Sequence, residues 1–346
     1  MKELKFAIIG CGRISHKHIE ALADNVEKSR LVAVCDIVPE KMDKVVEEYH
    51  ELIDKQANNM NEDVKEVKKY TEYNEMLKKE DIDVVAIATE SGYHAKHTID
   101  CLNCGKHVLV EKPMALSIED VDEMIKIAKE KGLKLGVCHQ NRFNPPIQKL
   151  RRAIDEGRFG KIVNGTARIL WNRNDDYYKQ ASWRGTKALD GGTLMNQCIH
   201  NIDLLQWMMG SEVERIHAER DTFLRNIEME DFGAILIRFK NGSIGIVEGS
   251  ACVYPKNLEE TLSIFGEKGT VVIGGLAVNE IETWKFADEK EYDKEDVSSQ
   301  VDSVYGKGHK PLYKDFIDAI NNDRDPYISG EEGKKPVEII LRAYEF

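Results

Sequence analysis

The chain has 346 residues, a hydrophobic content of 42%, a charged content of 32% and a formal net charge of −12. This length favours two domains, and the negative charge argues against a nucleic-acid partner, whose phosphates it would repel. No apolar run approaches the roughly 18 to 20 residues that a membrane helix needs. The start MKELKFAIIGCGRIS enters a strand-like run at once, so we expect no signal peptide, no membrane partner and a cytoplasmic location.

Strand-like and helix-like stretches alternate along the first 140 residues. The apolar runs KFAIIG, LVAVCD, VVAIAT, HVLVEK and KLGVCH are predicted to be buried strands, with amphipathic helices between them. This alternation predicts a parallel sheet flanked by helices. The polar segment 54–69 is predicted to be a helix end followed by a solvated loop without a functional role.

The pattern changes near residue 140. Beyond it, β-type runs are separated by turn pairs such as NG and KG, which predicts a largely antiparallel sheet. The helical stretch GTLMNQCIHNIDLLQWMMG, residues 192–210, lies among these strands, and a terminal helix YKDFIDAINN follows. We therefore predict an α/β chain whose first domain, 1–140, has a parallel sheet. The second domain, 141–346, is predicted to be an α+β domain with a mostly antiparallel open sheet.

The seven cysteines are scattered along the chain. Their odd number favours free thiols over a disulfide framework. Cys101 and Cys104 form one C-x-x-C pair, but no second pair of ligands matches it, so we expect no metal site.

A glycine-rich turn, Gly10-x-Gly12-x-x-Ser15, follows the first strand. Gly10 permits the tight turn, Gly12 lets the main chain approach a pyrophosphate, and the helix N-terminus faces its negative charge. The second strand ends in Asp36, an acid that can bind ribose hydroxyls and would repel a 2′-phosphate. These residues predict an NAD-binding Rossmann domain. The alternative is a strand–helix turn with a surface aspartate.

The triplet Glu111-Lys112-Pro113 ends the fifth strand. Ligands of such sheets bind beyond the carboxyl ends of the strands, so Lys112 is expected to point into the crevice; the alternative is a surface charge. His94 is either a cofactor contact or a structural residue at a helix start. The further predicted cofactor contacts are Arg13, Ile14, Thr89, Ser91, His94, Glu111, Lys112 and Gln140.

The turn GCGRISHKH, the EKP triplet and the stretch GG-x-L-x-N-x-x-x-H-x-x-D together resemble the glucose–fructose oxidoreductase, inositol dehydrogenase and rhizopine-catabolism (Gfo/Idh/MocA) family. The likeness spans nearly the whole chain, with 54–69 the clearest exception. It implies a Rossmann domain followed by a domain that supplies the substrate face and often the oligomer contacts, so we expect a homodimer or homotetramer. It also implies that Lys112 contacts the reacting hydroxyl and nicotinamide, and that His200 is the acid/base.

Asn196 stands where the inositol-dehydrogenase-like members of that family carry aspartate. This departure favours the branch that acts on nucleotide-linked N-acetylhexosaminuronic acids. Asp203, three residues after His200, is expected either to orient the helix or to pair with neighbouring backbone.

The polar and aromatic stretch 171–192 precedes the helix with Asn196 and His200. Long irregular loops beside an active site are often functional. The aromatic rings and arginine guanidinium groups of this stretch suit a sugar nucleotide or its carboxylate. Packing between the domains is the alternative. The predicted substrate-binding residues are Arg142, Trp171, Arg173, Tyr177, Trp183, Arg184, Asn196, His200 and His309.

The sequence thus predicts an NAD-dependent dehydrogenase that oxidises a ring hydroxyl of a sugar or sugar nucleotide. The resemblance makes C3 of a UDP-linked N-acetylglucosaminuronic acid the preferred site, with Lys112 or His200 taking the hydroxyl proton. An inositol or free-sugar dehydrogenase and an NAD-using glycoside hydrolase are alternatives. A non-catalytic dinucleotide-sensing regulator is a third, against which the presence of both Lys112 and His200 argues.

Overall fold

A computed structural model describes residues 2–56, 66–298 and 306–346. The chain divides into two compact units, one of Met1–Cys138 with His309–Lys334 and one of His139–Gly308 with Lys335–Phe346. Among the residues described, no helix is both long enough and apolar enough to span a membrane.

The first unit contains a six-stranded parallel sheet. Its strands are β1 (Leu4–Ile9), β2 (Ser29–Cys35), β3 (Lys68–Tyr70), β4 (Val84–Ile87), β5 (His107–Val110) and β6 (Leu135–Val137). Its helices are α1 (Ser15–Asp24), α2 (Pro39–Gln56), α3 (Tyr73–Lys79), α4 (His94–Asn103), α5 (Ile118–Glu130) and α9 (His309–Asn321). The strand order is β3-β2-β1-β4-β5-β6, so the order reverses between β1 and β4. A crevice at the carboxyl ends of these two strands is the usual ligand site of such a sheet.

The continuous apolar runs of this unit form strands that are buried on both faces. All four residues of Val84–Ile87 are buried, and successive side chains of a strand point to opposite faces. Helix α5 begins after Ser117, whose side chain accepts a hydrogen bond from the main-chain N–H of Asp120 at 3.2 Å and so caps the helix N-terminus. The predicted segment 54–69 is only partly described, because residues 57–65 lie outside the described residues.

Helix α9 packs with the first unit. The ring of Tyr313 lies 5.6 Å from that of Phe6. A Cβ on Gly136 would lie 2.7 Å from Phe316, so the helix rests directly on β6. The predicted second domain of 141–346 includes this helix, whereas the structure places it in the first unit, because residues far apart in the chain supply its apolar partners.

The second unit contains a seven-stranded mixed sheet. Its strands are β7 (Ile162–Leu170), β8 (Val213–Asp221), β9 (Phe232–Phe239), β10 (Ile244–Ser250), β11 (Glu259–Gly266), β12 (Gly269–Gly274) and β13 (Glu280–Phe286). Its helices are α6 (Pro145–Asp155), α7 (Asp175–Lys179) and α8 (Ile199–Met209), and α10 (Gly330–Ala343) spans the boundary at Lys335. The order is β13-β12-β11-β7-β10-β9-β8, and β7 and β10 form its parallel pair. The prediction of a mostly antiparallel second sheet is confirmed.

Glycines in this sheet let the helical segment 194–209 approach it closely. A Cβ on Gly249 would lie 2.6 Å from the sulfur of Cys198, and one on Gly165 would lie 2.8 Å from Leu205. Helix α8 ends at Gly210, which has a left-handed φ of 62°, a conformation that glycine adopts without strain. These glycines therefore set how closely the segment packs against the sheet.

Candidate active site

The glycine turn of the first unit leaves room for a ligand against its main chain. Gly10 has a φ of +98°, and a Cβ there would lie 2.5 Å from the carbonyl oxygen of Ala88, whereas a Cβ on Gly12 would meet no atom within 4 Å. The hydroxyl of Ser15 donates a hydrogen bond to the carbonyl of Gly12 at 2.6 Å, which closes the turn. This arrangement fits the pyrophosphate of a dinucleotide at the start of α1.

Asp36 is fixed beside this turn. Its Oδ2 accepts a hydrogen bond from the main-chain N–H of Cys11 at 2.8 Å, and its Oδ1 accepts one from Val38 at 2.9 Å. Each oxygen keeps a further lone pair for a ribose hydroxyl. The side chain of Ile37 is 85% exposed next to the acid and offers an apolar surface for a flat base. Sequence reasoning missed Ile37, although an apolar residue directly after the acid was a visible signal.

The Lys112 turn lies at the carboxyl end of β5. Lys112 is partly exposed, and the peptide bond between it and Pro113 is cis. His94 is 1% exposed, with Nδ1 2.7 Å from the carbonyl oxygen of Pro113 and Nε2 3.1 Å from that of Thr89. Burial lowers the pKa of His94. The ring therefore joins the Lys112 turn to the end of β4, and its contact with the cofactor stays a prediction.

The other predicted cofactor contacts of this unit follow the carboxyl ends of β1 and β4. Arg13 is exposed, Ile14 and Thr89 are partly exposed, and Ser91 is buried. Gln140, in contrast, belongs to the second unit.

The segment with Asn196 and His200 begins with a π-helical turn. Leu194–Cys198 is π-helical and Ile199–Met209 is α-helical, so the prediction of one regular helix is wrong at its first turn. Such turns are frequent at functional sites. Both Asn196 and His200 are partly exposed, and Nε2 of His200 lies 3.5 Å from Nε2 of Gln140.

Asp203 forms a buried ion pair with Arg142. The guanidinium donates from Nε to Oδ2 at 2.7 Å and from its terminal nitrogen to Oδ1 at 2.6 Å, and both side chains are 1% exposed. Burial alone would raise the pKa of Asp203, but Arg142 outweighs it and lowers that pKa. Arg142 therefore has an internal role in this ion pair, and its predicted substrate contact stays a prediction.

Five predicted substrate residues form one aromatic and cationic stack. The guanidinium of Arg173 lies 4.5 Å from the ring centre of Trp171 and 5.0 Å from that of Tyr177. Arg184 lies 4.2 Å from the same tyrosine ring and 4.6 Å from Trp183. All but Trp171 are partly exposed. The loop thus presents two oriented cations on aromatic faces, an arrangement suited to anionic groups and flat rings.

Gln197 joins this stack to the π-helical turn. Its carbonyl oxygen accepts from Nε of Arg173 at 2.8 Å, and its amide donates to the hydroxyl of Tyr177 at 3.0 Å and to Oδ1 of Asn196 at 2.6 Å. Sequence reasoning missed Gln197, since a single glutamine beside Asn196 carries no spacing signal.

Glu230 anchors the start of the same segment. Its Oε1 accepts from the main-chain N–H of Leu194 at 2.8 Å and from the hydroxyl of Tyr344 at 2.8 Å. Burial raises the pKa of Glu230 to about 7. A Cβ on Gly192 would lie 2.4 Å from Oε2, which explains why a glycine precedes the turn.

His309 is buried, unlike most of the predicted substrate residues. It belongs to the first unit, is 2% exposed, and places Nε2 3.4 Å from Oε1 of Glu111. His309 thus makes a buried polar contact with Glu111, and its predicted substrate contact stays a prediction. In the C-x-x-C pair, Cys101 is buried and Cys104 is exposed.

The fold and these two sets of residues define a two-domain NAD-dependent oxidoreductase, and known proteins bear this out. Residues 4–139 match the oxidoreductase family with an NAD-binding Rossmann fold, and residues 147–272 match the GFO/IDH/MocA C-terminal domain. The WlbA dehydrogenase of Bordetella pertussis, solved with NADH and UDP-GlcNAcA, is 36% identical with a TM-score of 0.89, over 99% of this chain and 95% of that one.

Two further relatives agree with this assignment. The WlbA dehydrogenase of Chromobacterium violaceum, also solved with NADH and UDP-GlcNAcA, is 37% identical over 100% of this chain and 94% of that one, with a TM-score of 0.89. Myo-inositol 2-dehydrogenase of Thermotoga maritima is 26% identical over 96% of this chain and 92% of its own length. The chain belongs to the Gfo/Idh/MocA family of oxidoreductases, which confirms the predicted family, fold class and NAD cofactor.

Proposed function

We propose that the chain oxidises a ring hydroxyl of a nucleotide-linked sugar acid, with C3 of a UDP-linked N-acetylglucosaminuronic acid as the best candidate. The observation that carries this proposal is the stack in which Arg173 and Arg184 lie on three aromatic rings. A diphosphate or carboxylate pairs with guanidinium groups, and a uracil or sugar ring packs on aromatic faces. Two WlbA dehydrogenases at 36% and 37% identity, solved with UDP-GlcNAcA, support the same substrate class.

Lys112 and His200 are proposed to act on the reacting hydroxyl. Bound NAD supplies the acceptor for the hydride that leaves the carbinol carbon. Lys112 or His200 takes the hydroxyl proton, and the other donates a hydrogen bond to the same oxygen. We propose that two features keep the His200 imidazole in place. They are Gln140, whose amide nitrogen lies 3.5 Å from Nε2 of His200, and the Arg142–Asp203 pair. Gly10, Gly12 and Asp36 are proposed to hold the dinucleotide.

A free polyol or inositol is the second candidate substrate, favoured by the Thermotoga relative. Such a neutral substrate gives the two arginines no anionic partner. The test is a panel of UDP-GlcNAcA, UDP-GlcNAc and myo-inositol, with NADH absorbance as the readout. Turnover of UDP-GlcNAcA well above the other two supports the proposal, and turnover of myo-inositol alone contradicts it.

Variants then assign the roles on the accepted substrate. Lys112→Ala should lower kcat by roughly 10²-fold or more, the usual size for a general acid–base group. Lys131→Ala, which changes an exposed lysine of the same unit, should leave kcat unchanged. Arg184→Ala should raise KM by roughly 10- to 100-fold for UDP-GlcNAcA, because a charge-assisted hydrogen bond contributes about 1.5–3 kcal/mol. Wild-type kcat in Lys112→Ala would contradict the catalytic role.

Assembly and location are proposed as well. On adjacent strands β9 and β10, Leu236 is 47% exposed and its paired neighbour Ile246 is 41% exposed. This open apolar face supports self-association into a dimer or tetramer. All seven cysteines lie in described residues and none forms a disulfide, in keeping with the cytoplasmic location inferred from the sequence.

A further inference from the structure

A carboxyl group and a phenol lie behind the π-helical turn Leu194–Cys198 in the second unit. The carboxyl group belongs to Glu230, which is 2% exposed, and the phenol belongs to Tyr344, which directly follows α10. Neither side chain takes part in the reaction steps proposed above. An acid that is removed from water is costly unless its oxygens are bonded, so the presence of Glu230 here calls for a physical reason.

The two side chains hold the main chain at the start of the turn. Oε1 of Glu230 accepts a hydrogen bond from the main-chain N–H of Leu194 at 2.8 Å. The hydroxyl of Tyr344 lies 2.8 Å from the carbonyl oxygen of Gly191, and it accepts a hydrogen bond from the main-chain N–H of Met195. The pair therefore fixes the main chain between Gly191 and Met195.

The distances around the Tyr344 hydroxyl fit a proton on Glu230. The hydroxyl lies 2.8 Å from Oε1 of Glu230 and 2.8 Å from the carbonyl oxygen of Gly191, but it has one proton and can donate to only one of them. If it donates to an ionised Glu230, the Gly191 carbonyl loses this partner. If Glu230 carries a proton, Glu230 donates to the hydroxyl and the hydroxyl donates to Gly191. Both contacts are hydrogen bonds only in the second case.

The surroundings also favour the neutral acid. Burial raises the pKa of Glu230 to about 7, although the hydrogen bonds to its oxygens and the charge of Arg220 oppose this shift. The Arg220 guanidinium donates to the carbonyl oxygen of Tyr344 at 3.1 Å and lies 4.8 Å from its ring centre. Two other titratable groups are close: Cys198 lies beside Tyr344, and the Asp231 carboxylate is bound by main-chain N–H groups. Both forms of Glu230 are therefore populated near neutral pH.

The turn connects Glu230 to the aromatic and cationic stack. A Cβ on Gly192 would lie 2.4 Å from Oε2 of Glu230, and the carbonyl oxygen of Gly192 accepts from the main-chain N–H of Asn196 at 2.8 Å. Oδ1 of Asn196 accepts from the amide of Gln197 at 2.6 Å, and the carbonyl oxygen of Gln197 accepts from Nε of Arg173 at 2.8 Å. A change in the hydrogen bonds of Glu230 thus reaches Arg173 through direct contacts.

We propose that Glu230 is a positioning residue for the substrate-binding stack, and that its ionisation loosens the π-helical turn. Neutral Glu230 completes the hydrogen bonds through Tyr344 to Gly191 and holds Asn196 and Gln197 in place, whereas ionised Glu230 removes the bond to Gly191. The proposal deepens the function given above and rests on the role of the stack in substrate binding. Substrate should therefore bind more weakly as the pH rises through the range in which Glu230 loses its proton.

The first test detects this proton without substrate. All four tryptophans belong to the second unit, so the urea midpoint followed by fluorescence reports this unit. Glu230 has a folded-state pKa of about 7, above its unfolded-state value of about 4.3. Its contribution to stability is therefore fully present below about pH 4.3 and is lost as the pH rises through the folded-state value.

Wild type, Glu230→Gln and Glu228→Gln are compared between about pH 4.5 and 8.5. The wild-type midpoint, relative to that of Glu230→Gln, should fall up to about pH 7 and be constant above about pH 8. Glu228→Gln makes the same change at an exposed residue of the same loop and should follow wild type. A constant difference between wild type and Glu230→Gln over the whole range would overturn the proposal.

Tyr344→Phe keeps the proposal testable if Glu230→Gln does not fold. The Tyr344 hydroxyl lowers the pKa of Glu230, so its removal should raise the pH at which the urea midpoint stops falling. The same end point in Tyr344→Phe and wild type would overturn the proposal.

Amide hydrogen exchange tests the positioning role itself. Exchange in a peptide covering residues 191–198 is measured at about pH 6 and 8 and divided by the intrinsic rate at each pH. In wild type, protection of the Leu194 and Met195 amides should fall by about 3- to 10-fold between these pH values, the size expected for one lost hydrogen bond. In Glu230→Gln the protection should stay constant. Equal protection at both pH values in wild type would overturn the proposal.

The last test uses UDP-GlcNAcA as substrate. The wild-type KM should rise by about 3- to 10-fold from about pH 6 to 8, and the KM of Glu230→Gln should change less. An equal pH dependence of KM in the two proteins would overturn the proposal. If UDP-GlcNAcA is not turned over, the proposed function fails, whereas the urea and exchange measurements still decide the role of Glu230.

Discussion

Asp203→Asn should destabilise the second unit severely. The substitution keeps the size of the side chain but removes the negative charge that Arg142 needs, and both partners are 1% exposed. A buried charge left without its partner costs about 3–5 kcal/mol. In a unit of this size that loss corresponds to a fall in Tm of roughly 10 °C. The loss of stability should lower the unfolding midpoint of the second unit, and NAD binding by the folded chain should stay unchanged.

A neighbouring pair supplies the matched control. Arg151 stacks on the same Trp207 ring as Arg142, at 5.1 Å against 4.8 Å, and pairs with Asp155, whose side chain is 56% exposed. Asp155→Asn should cost only about 0–1 kcal/mol, because water screens an exposed pair. The two variants therefore remove the same kind of charge and differ in burial.

Tryptophan fluorescence is a suitable assay for both variants. The four tryptophans of the chain are Trp171, Trp183, Trp207 and Trp284, and all belong to the second unit. The urea midpoint followed by fluorescence thus reports this unit. Equal midpoints for Asp203→Asn and Asp155→Asn would refute the reasoning. The double variant with Arg142→Met and Asp203→Leu should recover most of the loss, since an apolar replacement of a buried pair is often neutral or stabilising.

The pH dependence of the Asp203 effect has a definite sign. Arg142 lowers the folded-state pKa of Asp203, so the carboxylate stabilises the fold fully above its unfolded-state pKa of about 3.9. That stabilisation is lost as the pH falls through the lower folded-state value. The difference between wild type and Asp203→Asn should therefore be constant from about pH 5 to 8 and shrink only below about pH 4.

Three further outcomes are expected. Asp36→Ala should weaken NAD binding and reduce discrimination against NADP, and calorimetry showing tighter NADP binding by the wild-type chain would contradict the role of Asp36. Asn196→Asp adds a carboxylate near His200, which favours the imidazolium form, so the matching limb of the kcat profile should move to higher pH; a limb that stays in place would argue against their proximity. Light scattering should show a dimer or tetramer, and a stable 39.4 kDa monomer would rule out the proposed use of the second sheet.

The strands of the first unit that the sequence identified are short runs of mostly buried residues. Strand β3, Lys68–Tyr70, has three residues and no buried one, so its apolar pattern is too weak to detect. Helix α10 begins at Gly330 and contains Pro336, and both residue types predict a break. Its buried Val337 and Ile340 stabilise the helix through packing that a linear pattern does not contain.

The site residues also divide into those that the sequence could identify and those that it could not. Aromatic and cationic side chains between Trp171 and Arg184 could be found by composition alone, because such a loop has few structural reasons to be rich in them. Their order in the stack depends on the path of the loop. His18 and Tyr313 are 295 positions apart, so no local spacing predicts that their side chains meet.

Each proposed reactive side chain is partly exposed, and a buried ionised carboxylate lies within three residues of it in the chain. Glu111 bonds to the main chain of Lys112, and Asp203 lies one helical turn after His200, paired with Arg142. Burial alone would neutralise both acids, as it raises the pKa of Glu260 to about 8. Glu111 and Asp203 stay charged because donors from distant parts of the chain reach them. We therefore expect variants of these two buried carboxylates to change kcat more than KM.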